Sequence, residues 1–375
     1  MALSAVVIGI SAGLLAMEIT LRFLPVFVGV FLQPVTKDFP VARMEPNRPL
    51  TYSVGWSMAR SNQNHVNNDG FVHDHDYRID NKRTTTAIIG DSYVEALMLP
   101  HAETLQGLLG AAVGAKGDAY SFGISGASMS QYLVWAQYAR EHYKAKALIF
   151  VIVATDFDES LVKYRARTGF HYFDGDLERC DMGLIRLDHY PNPLRPLLRN
   201  SALLQYLVFN LGLLEGEQRQ AWLRSVVEGN TKDTVGEGQI DEPITRKRRA
   251  VEPPNNRLAD SKCSVRTFFR LLPEMTGFGP DRVLFVLDGL KAYTDEARVV
   301  AEKGYFSLMR QYFLTEAADR GYGVIDADPS FKKRRQENND VFEMPQDVHW
   351  NADAHALIAE QVKDSTFFRN LFLLP

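Results

Sequence analysis

Five short apolar, β-branched runs, Thr86–Ile89, Ala119–Phe122, Ala147–Val153, Val283–Leu287 and Val324–Asp326, alternate with stretches patterned as helices. Those stretches are Leu105–Val113, Met129–His142, Thr294–Arg320 and Ala352–Val362. Strands that alternate with helices of this length need crossover connections, which predicts a mostly parallel sheet covered on both faces. In such sheets ligands bind beyond the carboxyl ends of the strands. Ser92, Gly126 and Asp156 each fall just after a predicted strand, so residues far apart in the chain are expected along one rim. The 375-residue chain is 46% hydrophobic and 23% charged, enough to bury a large core.

The N-terminus imposes a second constraint. Residues Met1–Met17 carry no charged side chain, and Glu18 and Arg22 are the first charges to interrupt the apolar run. Crossing a bilayer core takes about 20 residues, and residues 2–21 supply them if Glu18 lies near one interface. A basic leading region and an Ala-x-Ala cleavage site are both missing, so the segment is expected to be an uncleaved anchor. Arg22, Lys37, Arg43 and Arg48 follow it, which by the positive-inside rule alone would keep the large domain in the cytoplasm. A formal net charge of −4 gives no reason to expect nucleic acid as a partner. The run Arg246-Lys247-Arg248-Arg249 lies among acidic and proline residues and reads as a solvated loop.

Two motifs carry chemistry. Gly90-Asp91-Ser92 closes the run Thr86–Ile89, and Asp347-Val348-His349 precedes the last helical pattern. A serine hydroxyl becomes a useful nucleophile only when an imidazole takes its proton and a carboxylate orients that imidazole. Ser92 is therefore the candidate nucleophile, His349 the base and Asp347 the orienting acid. Residues two apart in an extended or turn segment project to the same side, so Asp347 is within reach of the His349 ring. His355, inside the final helical pattern, is expected to serve packing.

These blocks resemble the SGNH hydrolases, also called GDSL esterases. Ile88-Ile89-Gly90-Asp91-Ser92 matches the first block, and Ser121–Ser128 the second, with Gly126 as the block glycine. Val153-Ala154-Thr155-Asp156-Phe157-Asp158-Glu159-Ser160 looks like the third block, and the late Asp/His pair like the last. The lead-in Asn67-Asn68-Asp69-Gly70-Phe71 is similar to that of membrane-anchored bacterial members. The similarity covers roughly residues 62–160 and 280–365. It implies a flavodoxin-like three-layer α/β sandwich behind an N-terminal transmembrane segment, with the catalytic domain facing outward. It also implies an acyl-enzyme mechanism on an O-acetylated cell-surface glycan, with no cofactor. The Ser92 and Gly126 backbone N–H groups would bind the oxyanion, with the residue at position 155 as a third donor. That residue departs from the pattern: an asparagine is expected, and Thr155 offers one hydroxyl in place of a carboxamide. The pair is also spaced Asp-x-His where many members have Asp-x-x-His.

The resulting division is an anchor at 1–33, a lead-in at 34–85 and a hydrolase domain at 86–370 carrying an insertion at about 161–275. Within the insertion, Leu203–Leu214 and Gln218–Val227 read as helical, and Gly229–Asn256 reads as a loop. The two cysteines, Cys180 and Cys263, either form one disulfide closing the insertion or remain separate buried thiols. The cluster His65, Asp69, His73, Asp74, His75 and Asp76 reads as a polar surface loop; its alternation leaves too few ligands on one side for a metal. Hydrolysis and transfer use the same residues. A non-catalytic binding or assembly role in the cell envelope is the competing expectation, and Thr155 is the residue that favours it.

Overall fold

The computed structural model describes residues 2–189, 195–213, 255–345 and 347–372. Its strands are β1 (Arg48–Val54), β2 (Arg60–Val66), β3 (Thr84–Gly90), β4 (Gly117–Gly123), β5 (Ala147–Ile152), β6 (His171–Asp176), β7 (Asp181–Arg186), β8 (Val283–Leu287) and β9 (Gly323–Asp326). Five of them make a parallel sheet in the order β4-β3-β5-β8-β9. This is the doubly wound, flavodoxin-like order, in which the chain leaves β3 in one direction and returns to its other side at β5.

The strands β3, β4, β5 and β8 are buried on both faces, which is why they read as apolar runs, while the edge strand β9 is partly exposed. Along β5, Leu148, Phe150 and Ile152 join one apolar cluster and Ile149 and Val151 join another, as the two-residue period of a strand requires. The helices Met129–Tyr143, Asn255–Thr276 and Tyr305–Asp319 close the first face. The helices Leu105–Val113, Ala327–Asn338, Ala352–Asp364 and Thr366–Phe372 close the second.

Several elements differ from the sequence expectation. The helical pattern Thr294–Arg320 is two helices, Asp295–Glu302 and Tyr305–Asp319, separated at Gly304. Thr294 caps the first through its side chain, which accepts from the Ala297 N–H. The lead-in contains the antiparallel pair β1–β2, with Arg48 opposite Val66. The expected polar surface loop at residues 65–76 is in part interior. Asp69 is buried and accepts a hydrogen bond from the Tyr138 hydroxyl at 2.9 Å. His73 is buried with Nε2 3.1 Å from the Ala119 carbonyl. Hydrogen bonds to both His73 ring nitrogens and to one Asp69 oxygen offset their burial, so their polarity did not keep them at the surface. Among the described residues no cluster is arranged to hold a metal ion.

Between β5 and β8 lie the antiparallel pair β6–β7 and the long helix Asn255–Thr276, neither expected from the sequence. The expected helix from Leu203 begins at Ala202 and passes from an α-helical turn, Ala202–Gln205, to a π-helical one, Tyr206–Asn210. The expected helix Gln218–Val227, the run Arg246–Arg249 and most of the loop Gly229–Asn256 lie outside the described residues.

The helix Ala2–Leu21 is long and apolar enough to cross a membrane and is exposed along nearly all of its length. It is tied to the domain at its end: the Glu18 carboxylate accepts from the Ser201 hydroxyl and from the Ala202 and Leu203 N–H groups.

Cys180, in the β6–β7 turn, and Cys263, in the helix Asn255–Thr276, form a disulfide with Cα atoms 5.1 Å apart. The bond pins the β6–β7 pair to a helix that packs on the helix Met129–Tyr143. Replacing both cysteines by serine is expected to lower stability by about 2–5 kcal/mol. Thermal melts of the variant and of the reduced wild type check this; an unchanged midpoint in both would contradict it.

Candidate active site

Ser92 sits where β3 ends and a single helical turn, Ser92–Glu95, begins. Asp91 caps that turn, its carboxylate accepting from the Tyr93 N–H at 2.9 Å. The turn exits through Ala96 in the left-handed region, φ +44°. The serine is thus held at the carboxyl rim, beside the β3/β5 switch point.

The loop between the helices Ala327–Asn338 and Ala352–Asp364 brings the other two residues. His349 Nε2 lies 2.7 Å from Ser92 Oγ, and His349 Nδ1 lies 2.6 Å from Asp347 Oδ1. With the carboxylate as acceptor, Nδ1 donates and Nε2 is left to accept from the serine hydroxyl. Burial would raise the Asp347 carboxyl, but the His349 ring and the Val348 and His349 N–H groups outweigh it and hold it at about 2. The acid is therefore ionised at neutral pH.

Residues without a sequence signal hold this connection in place. The Tyr93 hydroxyl donates to the Val348 carbonyl at 2.6 Å, and Lys291 Nζ reaches both of those groups. The Trp350 indole N–H donates to Asp288 Oδ1 at 2.7 Å, and Asp288 pairs with Lys291 at 3.0 Å. Asn351 caps the following helix, accepting from the Ala354 N–H. His355 is buried and its Nδ1 accepts from the Leu105 N–H at 3.1 Å, a packing role as expected. Burial, with the nearby His349, lowers its pKa to about 3, so it stays neutral.

The two other candidates lie on the neighbouring strand ends. Gly126 is third in a turn closed by the Ala127 N–H on the Ile124 carbonyl; its φ of +80° is the value a glycine supplies there at no steric cost. A side chain at this position would meet Arg165 Nη2 at 2.5 Å and Arg167 Nη1 at 3.3 Å. Arg167 donates to the Ser125 carbonyl at 2.5 Å and Arg165 pairs with Glu159, so two guanidinium groups crowd the expected oxyanion glycine. Thr155 directly precedes the helical turn Asp156–Glu159 and is half-buried. Asp156 is fully buried, accepting from the Tyr132 hydroxyl and the Val153 N–H, and so holds the loop that carries Thr155. Burial, and then the charge of Asp91, push its pKa well up.

A pocket of about 310 Å³ opens over Ser92 and His349. Glu95 and Ser125 line one side, with the Glu95 carboxylate accepting from both the Ser125 N–H and its hydroxyl. Phe27, Gly29, Val30, Tyr52, Leu97, Met98 and Phe209 make the rest, and no motif pointed to them. What fold and site define together is a doubly wound α/β protein with a serine, histidine and aspartate in hydrogen-bonding series at its carboxyl rim.

No protein-family model and no curated protein matches the chain. Among solved structures it is similar to a member of the lipolytic protein G-D-S-L family from Veillonella parvula. That match has 11% identity, covers 76% of this chain and 98% of that one, and has a TM-score of 0.35. It is also similar to a carbohydrate acetylesterase family member from Sinorhizobium meliloti, at 12% identity, 78% and 100% coverage and a TM-score of 0.33. An extracellular lipase from Streptomyces rimosus gives 11% identity, 74% and 98% coverage and a TM-score of 0.36. At these TM-scores the likeness adds nothing to the fold that the strand order already defines.

Glu95 generates a pH prediction. Burial raises its pKa from 4.5 to about 7, against the lowering effect of the Ser125 hydrogen bonds. A carboxyl raised in the folded state contributes stability that is complete below its unfolded value of 4.5 and lost as pH climbs through about 7. Glu95→Gln keeps an acceptor for Ser125 without the charge. Urea denaturation is expected to show the wild type losing on the order of 3 kcal/mol between pH 4.5 and 8 from this group, with the variant free of that loss. Parallel pH profiles for the two proteins would refute it.

Proposed function

We propose that the chain is an SGNH-type serine esterase or O-acyltransferase. Ser92 is the nucleophile, His349 the general base and Asp347 the group that fixes the imidazole. The reading rests above all on the unbroken Oγ···Nε2 and Nδ1···Oδ1 contacts of 2.7 and 2.6 Å. The Ser92 oxygen attacks the ester carbonyl while its proton passes to His349 Nε2. Collapse of the tetrahedral intermediate breaks the bond to the alcohol, which leaves with that proton. Water, or an acceptor hydroxyl, then gives its proton to His349 and takes the acyl group from Ser92.

The Ser92 and Gly126 N–H groups and the Thr155 hydroxyl are the proposed oxyanion donors. The resemblance in the sequence blocks supports an acylated, cell-surface carbohydrate as substrate. An outward-facing domain, anchored by the helix Ala2–Leu21, is supported by the Cys180–Cys263 disulfide, since such bonds persist in oxidising compartments. Neither proposal needs a cofactor or a metal.

Thr155 favours a second reading, in which the fold is kept for binding or assembly in the cell envelope. A fluorophosphonate probe separates the two, because it reacts only with an activated serine. Labelling of the wild type and its loss in Ser92→Ala, together with loss of aryl acetate turnover, are expected; an unlabelled wild type would establish the binding role instead.

The oxyanion role of Thr155 has its own test. A β-branched side chain is stiff at χ1, so the backbone sets where its hydroxyl points. Removing one oxyanion donor typically costs about 10²–10³ in rate. Thr155→Val is expected to slow pre-steady-state acylation, with a smaller loss than that range because a threonine hydroxyl replaces the usual amide, and Thr155→Asn is expected to raise it. Acylation by Thr155→Val at the wild-type rate would remove Thr155 from the oxyanion site.

A further inference from the structure

The wall of the pocket is built by the stretch of chain that leaves the apolar N-terminal helix. That helix ends at Leu21, and Phe27, Gly29 and Val30 already line the pocket over Ser92. Six fully extended residues span at most about 22 Å, so the pocket lies within that distance of the helix end. The stretch is fixed against the domain. The Phe27 N–H donates to Asn210 Oδ1 at 3.0 Å, the Val28 N–H donates to the Thr51 carbonyl, and Phe31 and Leu32 are buried.

One short helical segment, Ala202–Asn210, joins three features. Its first N–H groups bond to Glu18 on the apolar helix. Its Phe209 ring stands 5.3 Å from the Phe27 ring and lines the pocket. Its Tyr206 hydroxyl donates to the Trp56 carbonyl at the β1–β2 turn. A Cβ at Gly29 would lie 2.6 Å from the Phe209 ring, so the stretch and the segment pack with no room for a side chain between them. Near this junction three large apolar side chains are exposed: Phe23 by 85%, Trp56 by 72% and Leu213 by 64%. Large exposed aromatics beside a membrane-spanning helix belong to the interfacial zone of a bilayer, where an amphipathic ring is favoured.

We propose that this side of the domain rests on the bilayer and that the site draws its ester from a membrane-resident amphiphile. Trp56 and Phe23 enter the interface, and the wall of Phe27, Val30 and Phe209 receives the apolar part of a lipid-linked ester. The proposal rests on the reading of Ser92 as an esterase nucleophile and names where its substrate resides. A water-soluble polymer would gain nothing from an apolar wall set against the anchor.

The test uses the full-length chain in nanodiscs of phosphatidylethanolamine and phosphatidylglycerol. In a Trp222→Phe background, with Trp135 and Trp350 buried, Trp56 is the exposed indole. Brominated lipids are expected to quench its emission, and the additional change Trp56→Phe to abolish that quenching. Absence of quenching overturns the docking surface whether or not Ser92 is active. For the substrate, one umbelliferyl ester is supplied either free in solution or linked to phosphatidylethanolamine in the same nanodisc. The lipid-linked form is expected to give at least a tenfold higher kcat/KM, and Phe209→Ser to cut that ratio about tenfold. Equal rates for the two forms in the wild type overturn the proposal. Absent fluorophosphonate labelling with Trp56 still quenched would overturn the esterase reading, and with it the lipid-linked substrate, while leaving the docking surface standing.

Discussion

A parallel sheet buried on both faces leaves little place for polar chemistry except the ends of its strands. Inside the two apolar layers an ionised or unpaired polar group would be costly, and helices pack against both faces. At the carboxyl rim the chain turns from strand to helix and backbone groups become available. Ser92 after β3, Gly126 after β4 and Thr155 after β5 share that rim because their strands are adjacent and parallel. His349 arrives from the other direction, on the connection before the helix Ala352–Asp364. Everything in the site depends on that sheet order.

The His349 connection is held by polar groups at the sheet edge. Asp288, just past β8, accepts from Trp350, while Lys291 spans Asp288, Tyr93 and the Val348 carbonyl. One residue, Tyr93, therefore ties the turn bearing the serine to the turn bearing the histidine. Such a bridge sets the Oγ···Nε2 distance through rigid elements at both ends, which is what proton transfer between two side chains requires.

The N-terminal helix is also part of the site's framework. Glu18 caps the helical segment that carries Phe209, and the residues that follow the helix form one side of the pocket. Placement of the apolar helix and shape of the pocket are consequently set by the same few contacts. The disulfide acts at the other end of the insertion, where β6–β7 is secured to the helix Asn255–Thr276.

The sequence by itself determined the architecture of the sheet. The core strands were legible nearly to their ends because burial writes a short apolar run, and the helix Leu105–Val113 because its apolar residues recur at helical spacing. The motifs Gly90-Asp91-Ser92 and Asp347-Val348-His349 singled out Ser92, Asp347 and His349 in the sequence, and the structure brings the three side chains into one hydrogen-bonded series. The strands β1, β2, β6 and β7 were not legible, since half-exposed strands with mixed polarity look like loops. Only the tertiary structure decided the rest. The pocket wall, the Glu95–Ser125 contact, the bridge through Tyr93 and Lys291 and the interior placement of Asp69 and His73 all join residues distant in the chain. No local pattern encodes such meetings; they exist because the sheet and the N-terminal helix bring those segments to the same place.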